Sequence, residues 1–121
     1  MGFADAVKTV FSRYATFSGR AGRPEFWFFA LFCFIVNIVI GIIGMFADTV
    51  STILSIIFAL GTIIPSIAVG ARRLHDTDRS GWWQLIAIVP IVGMIVLIVF
   101  YVLKGTDGAN RFGAGPDGPV A

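Results

Sequence analysis

The sequence predicts an all-α integral membrane protein: three transmembrane helices preceded by an N-terminal amphipathic interfacial helix. Three observations lead there. Phe26–Ala47, Thr49–Ala71 and Trp82–Leu103, of 22, 23 and 22 residues, contain no Asp, Glu, Lys or Arg. At about 1.5 Å per residue, each run reaches across the roughly 30 Å hydrocarbon core of a bilayer. The 121-residue chain is 57% hydrophobic, above the roughly 45–50% of soluble domains, and so small a soluble protein has too little interior for three such runs. Basic residues, finally, are absent from one of the connections between runs. A single membrane domain, residues 1–121, accounts for the whole chain.

The opening segment, residues 1–18, carries Phe3, Ala6, Val7, Val10, Phe11, Tyr14 and Phe17 at steps of three and four. Asp5, Lys8, Ser12, Arg13 and Thr16 lie away from that stripe, as in an amphipathic helix. Two placements fit the pattern: flat in the membrane interface, or docked on the bundle. Gly19 and Gly22 then interrupt helix propensity, and Pro24 suits the first turn of the next helix, where its missing N–H is not needed. Trp27 is expected near headgroup level.

The run Phe26–Ala47 starts too far into the chain, and is too long, for a secretory signal, and no small-x-small cleavage site closes it. It is expected to stay as the first membrane helix, with Cys33 a small buried hydrophobe inside it. Asn37 falls near mid-membrane and should find a partner on another helix. Asp48 marks a tight hairpin into the second span, 49–71. There Ser51, Ser55, Ala59, Thr62, Ser66 and Gly70 form a small-residue stripe suited to close helix packing, and Gly41 with Gly44 offers a similar contact on the first helix. Pro65 and Pro90 each free one carbonyl and are candidate bends in the second and third helices. Past Leu103, a polar tail of 18 residues with five glycines and two prolines has no regular element beyond a turn.

Four basic residues precede the first span, none stands in the first loop, three (Arg72, Arg73, Arg79) in the second, and two (Lys104, Arg111) follow the third. With three spans, the positive-inside rule makes the N-terminus cytoplasmic and the C-terminus periplasmic or extracellular. A second span that turned back near Pro65 would return the tail to the cytoplasmic side.

The stretch GARRLHDTDRSGWW, Gly70–Trp83, holds six ionisable residues between two apolar runs. Three readings compete. It is a solvated, positive-inside connection with tryptophans at the interface. It is an anion or lipid site, in which Arg72, Arg73, His75, Asp76 and Arg79 join Arg20 and Arg23 to hold anionic lipid headgroups. Or His75 beside Asp76 acts as an oriented general base on a lipid headgroup. Were the second helix to continue a further turn, Arg73–Asp76, His75–Asp78 and Asp76–Arg79 would share a face. One histidine and one cysteine give no metal site. No catalytic residue, cofactor or nucleic-acid partner is indicated.

The motifs FSGRAGRPEFW, RRLHDTDRSGWW leading into LIAIVPIVG, and GTDGANRFGAGP together resemble the bacterial inner-membrane family known as domain of unknown function 805. Residue by residue, the family pattern matches Gly19, Arg20, Arg23, Phe26 and Trp27 in the first motif. In the second it matches Arg72, Arg73, Leu74, His75, Asp76, Arg79, Ser80, Gly81, Trp82 and Trp83, and in the third Gly105, Asn110, Arg111, Phe112, Gly113 and Pro116. The resemblance implies a small multispanning plasma-membrane protein and supplies no reaction, ligand or solute. The expectation from sequence is therefore a non-enzymatic inner-membrane protein that binds anionic lipid or a membrane-protein partner at its arginine-rich boundary. A subunit of a homo-oligomeric channel or transporter is the alternative, and a membrane enzyme acting on a lipid headgroup the weaker one.

Overall fold

The computed structural model describes residues 1–115. Four α-helices and one 3-10 helix follow one another: α1 Phe3–Ser12, α2 Arg23–Gly44, α3 Asp48–Asp76, the 3-10 helix Gly81–Ile88, and α4 Val92–Val102. Two of them, α2 and α3, are long and apolar enough to cross a membrane.

Helix α2 starts three residues ahead of the apolar run because Pro24 occupies its first turn after an extended Gly22. It turns into α3 through Met45–Ala47, and the two pack antiparallel. Near the turn, a Cβ on Gly44 would stand 2.9 Å from Ser51 Oγ, and that hydroxyl donates to the Ile40 carbonyl at 2.9 Å. Gly41, by contrast, has nothing within 4 Å of where a Cβ would stand. The small-residue stripe divides likewise: Thr62 and Gly70 are buried, while Ser55, Ala59 and Ser66 remain exposed. Asn37 also departs from expectation. Its amide donates to the Cys33 carbonyl one turn back, at 2.8 Å, and the side chain is exposed. Cys33 itself is half-buried.

Helix α1 turns its apolar side to the α2–α3 pair. Ala6 and Val10 are fully buried, and Val10 joins Phe29 of α2 and Val69 of α3 in one core cluster. Phe11 meets Phe29 edge-on at 5.6 Å, and Phe3 meets Phe28 at 6.0 Å. Asp5, Lys8 and Ser12 stay exposed. The helix ends at Ser12, short of the expected residue 18.

Helix α3 continues past Ala71 to Asp76, through Pro65, for 29 residues. Its length is roughly 44 Å against a hydrocarbon core of roughly 30 Å. Arg72, Arg73, His75 and Asp76 are thus helical residues rather than loop residues.

The third apolar run is where sequence and structure part. Trp82–Leu103 is not one spanning helix. It is a hairpin of the 3-10 helix and the 11-residue α4, joined through Val89–Ile91, with Ile91 at φ 66°. Pro90 lacks the N–H that would extend the helix, and the turn closes from Val92 N to the Pro90 carbonyl at 2.7 Å. The arms touch backbone to backbone at Gly93, where a Cβ would collide with the Ile86 carbonyl oxygen. An 11-residue helix reaches only about 16 Å. Both ends of the hairpin lie beside the last turns of α3: Gly81 against Ala71, and the Tyr101 and Leu103 carbonyls against Arg73. The tail, Lys104 to Gly115, therefore returns to the end where α2 begins. Apolarity marked this run as lipid-compatible, but the single continuous helix expected over 82–103 does not describe its path.

Candidate functional site

At that shared end lies a layer of buried charge. Arg20, Arg72 and Arg73 are at most 3% exposed, and Glu25 and Asp76 at most 4%. A buried ion pair stands only when its remaining donors and acceptors are met, and here the backbone meets nearly all of them. Arg20 donates from Nε to Asp76 Oδ1 at 3.0 Å, and from its two terminal nitrogens to the carbonyls of Gly108 and Thr106, both at 2.6 Å. Arg73 donates to the other carboxylate oxygen of Asp76 at 2.9 Å, to the Tyr101 carbonyl at 3.0 Å, and to the Leu103 carbonyl. Arg72 pairs with Glu25 and donates to the Thr16 carbonyl at 3.1 Å. Three guanidinium groups thus face two carboxylates. Among the described residues, Arg72 Nη2 is the one buried side-chain nitrogen without an acceptor.

The tail is part of this layer. A helix C-terminus leaves carbonyls without intrahelical partners. At α3 the Thr106 N–H takes the Asp76 carbonyl at 2.7 Å, and the Asn110 amide takes the His75 carbonyl at 2.9 Å. Asn110 and Gly113 pair their backbones, with Gly113 at φ 133°. The chain passes so close to Asp76 that a Cβ on Gly105 would overlap its carboxylate. Phe112 lies flat on the His75 ring, 4.0 Å away and 1° from parallel. Arg111 bonds Asp78 at 3.2 Å on the surface. Pro116, the last residue of the family pattern, falls outside the described residues.

Of the seven residues singled out in the sequence, Arg20, Arg72, Arg73 and Asp76 come together in this layer, and His75 sits at its edge. Arg79 is half-buried, its guanidinium 4.4 Å over the Phe100 ring. Arg23 is exposed and makes no ion pair among the described residues, though its charge acts on Arg73. Of the three spaced pairs, only Arg73–Asp76 forms. Asp76 gives both oxygens to arginines, so it does not orient His75. The imidazole instead bonds the Gly19 carbonyl through Nδ1 at 2.9 Å, and a carbonyl only accepts, so Nδ1 carries the proton. Glu25 and Asn110 were missed by residue spacing. Glu25 had one signal: it is the only acid between residue 6 and residue 47, and it sits at the mouth of a membrane span.

Beside this layer, between α3 and the 3-10 helix, is a cavity of about 320 Å³. Phe17, Ile67, Ala71 and Trp82 give it apolar walls, and His75, Ser80 and Gln84 give it a polar one. Gln84 donates to the Ile67 carbonyl at 3.1 Å, and Ser80 Oγ accepts from the Trp82 N–H at 3.3 Å. No three His, Cys, Asp or Glu side chains gather as a metal site among the described residues.

A pair of apolar spanning helices, sealed at one end by arginines, carboxylates and the returning tail, defines a small polytopic membrane protein. Its sequence matches the family model described as "Protein of unknown function (DUF805)" over residues 14–114, and the chain belongs to that family. It is 44% identical to the inner membrane protein YhaI of Escherichia coli K12 over 108 residues, 89% of this chain and 92% of that one. To the inner membrane protein YhaH of the same strain it is 40% identical over 111 residues, 88% and 92% of the two chains. The uncharacterized protein YiiR of that strain is 33% identical over 127 residues, covering 81% and 84%. No solved structure matches significantly. The chain is an integral inner-membrane protein.

Proposed function

We propose that this protein is a non-enzymatic component of the bacterial inner membrane that binds anionic lipid headgroups along a cytoplasmic basic boundary. One observation carries the reading. All nine Lys and Arg residues lie on α1, in the α1–α2 connection, at the first residue of α2, among the last five of α3, or beyond α3. The α2–α3 turn at the other end has Asp48 alone. By the positive-inside rule the basic end is cytoplasmic, so the N-terminus and the tail as far as Gly115 share that side. Helix α1 then runs along the cytoplasmic interface with Asp5, Lys8 and Ser12 outward.

Because the fold itself occupies Arg20, Arg72 and Arg73, lipid contact falls to Arg23, Arg79 and the groups around His75. Exposed Trp27, Trp82 and Trp83 suit headgroup depth. The test is lipid retention in nanodiscs: replacing Arg23 and Arg79 together by Gln should lower the preference for anionic over zwitterionic lipid severalfold. An unchanged preference would sink the proposal.

A membrane-protein neighbour is the second reading, favoured by exposed Ser55, Ala59 and Ser66 on α3. A second copy on that face would make an oligomer of the kind a channel or transporter needs. A protein that stays monomeric in both mild detergent and lipid removes this reading.

A further inference from the structure

The cavity between α3 and the 3-10 helix has a chemistry of its own. Its volume of about 320 Å³ falls at the lower end of small-molecule sites, roughly 300–1,000 Å³. His75 is fixed from two sides, its Nδ1–H held by the Gly19 carbonyl and its face by Phe112. Only Nε2 is left, and it lies 3.6 Å from where a Cβ on Gly81 would stand, at the cavity wall. In the neutral ring that nitrogen accepts. Ser80 uses Oγ as an acceptor for the Trp82 N–H, which leaves its hydroxyl proton free to donate. Beside Gln84, whose amide nitrogen already donates to Ile67, the polar wall therefore offers an acceptor at His75 Nε2 and a donor at Ser80 Oγ.

The other walls run into the lipid-facing surface. Phe17 and Ile67 are each 44% exposed and Trp82 78%, so an occupant enters from the bilayer with an apolar portion trailing outward. The local field favours an anion: the adjacent buried layer holds three guanidiniums against two carboxylates, and Arg79 directly precedes Ser80. An occupant that satisfies all of this has a hydroxyl next to an anionic oxygen, on an apolar tail.

We propose that this cavity binds the glycerophosphoryl headgroup of a phospholipid such as phosphatidylglycerol, whose hydroxyl donates to His75 Nε2 while a phosphate oxygen accepts from Ser80. The inference rests on the anionic-lipid reading above and gives it a defined site.

The test uses the full-length protein in mild detergent, with lipid retention followed by native mass spectrometry. Phosphatidylglycerol is compared with phosphatidylpropanol, which has the same charge and no headgroup hydroxyl, and with zwitterionic phosphatidylethanolamine. The wild type should retain phosphatidylglycerol about tenfold better than phosphatidylpropanol, the size of effect expected for one or two hydrogen bonds. Ser80→Ala should lower retention of both anionic lipids alike, since both carry the phosphate oxygen it serves, whereas His75→Phe, which keeps a ring against Phe112 and removes the acceptor for the hydroxyl, should erase that difference. So should Ile67→Trp, which fills the cavity from its lipid-facing wall without touching the Ser80 cap. Arg23→Gln with Arg79→Gln should lower retention of both anionic lipids alike and leave their ratio intact.

Equal retention of the two anionic lipids, both above phosphatidylethanolamine, overturns the cavity site while the broader lipid reading stands. Equal retention of all three overturns both. Displacement of phosphatidylglycerol by an equal concentration of free glycerol 1-phosphate overturns the assignment to a lipid.

Discussion

Asp76 Oδ1 lies 3.0 Å from Arg20 Nε, a pair that ties the connection before α2 to the end of α3 across 56 positions of sequence. The second carboxylate oxygen holds Arg73 at 2.9 Å, so one buried acid pairs with two arginines that between them grip five backbone carbonyls within Tyr101–Gly113. The end of the bundle is closed around this acid. Asp76→Ala would leave two buried guanidiniums short of charge, a class of lesion that costs about 3–5 kcal/mol. Thermal unfolding in mild detergent should show a large loss of stability, and the tail beyond Leu103 should become accessible to protease first. A tail as resistant as the wild type would contradict the linchpin role.

Arg72 and Glu25 form the second buried pair, and Arg72 keeps one nitrogen without an acceptor. Removing one partner of a buried pair is expected to hurt more than removing both, because a lone buried charge remains. Glu25→Leu alone should therefore destabilise more than Glu25→Leu combined with Arg72→Met. The quantity to measure is the coupling energy from the double-mutant cycle, expected at about 1–3 kcal/mol. A coupling near zero would mean that the pair is solvated.

How much of this was legible in the sequence depends on the range of the interaction. Helices α2 and α3 were readable because a long uncharged run has few fates, and because Pro24 and Asp48 mark their starts. The basic boundary was readable as a place but not as a network. Arg20 finds its acceptors 56 to 93 residues away and Arg72 finds Glu25 at 47, and no spacing rule reports pairs at that distance. Asn37 was expected to bridge helices and instead satisfies itself on its own helix. The third run misled for a plainer reason: hydropathy reports which solvent a segment tolerates, and a hairpin of two short apolar helices tolerates the same one as a span. Pro90 was visible as a bend. The reversal it belongs to needs Ile91 at φ 66° and the bare Cα of Gly93 against Ile86, neither of which a hydropathy pattern contains.

The tail offers a direct check on this path. A fluorescent-protein fusion after residue 121 should mature and fluoresce, and an alkaline phosphatase fusion at the same place should stay inactive, because both reporters would sit in the cytoplasm. A cysteine at Asp48 in a Cys33→Ser background should react with a membrane-impermeant thiol reagent added outside, since the α2–α3 turn would face the periplasm. Active phosphatase at the C-terminus would restore a third crossing and refute the hairpin.

Gly93 is the position where hairpin and span can be played against each other. In the hairpin any Cβ there meets the Ile86 carbonyl oxygen and lies close to the Ala87 backbone, atoms that cannot move without parting the two arms. In a straight membrane helix the same position would gain from a larger apolar side chain. Gly93→Val should therefore destabilise the folded protein by more than the roughly 1 kcal/mol typical of single substitutions, and it should push part of the population toward an extended third helix. That population would carry its tail on the opposite side of the membrane. The measurement is the phosphatase-to-fluorescence ratio of C-terminal fusions, which should rise in Gly93→Val and rise further when Pro90→Leu is added, since removing the proline restores the N–H a continuous helix uses. If Gly93→Val is as stable as the wild type and its ratio does not move, the close contact at Ile86 does not hold the hairpin shut.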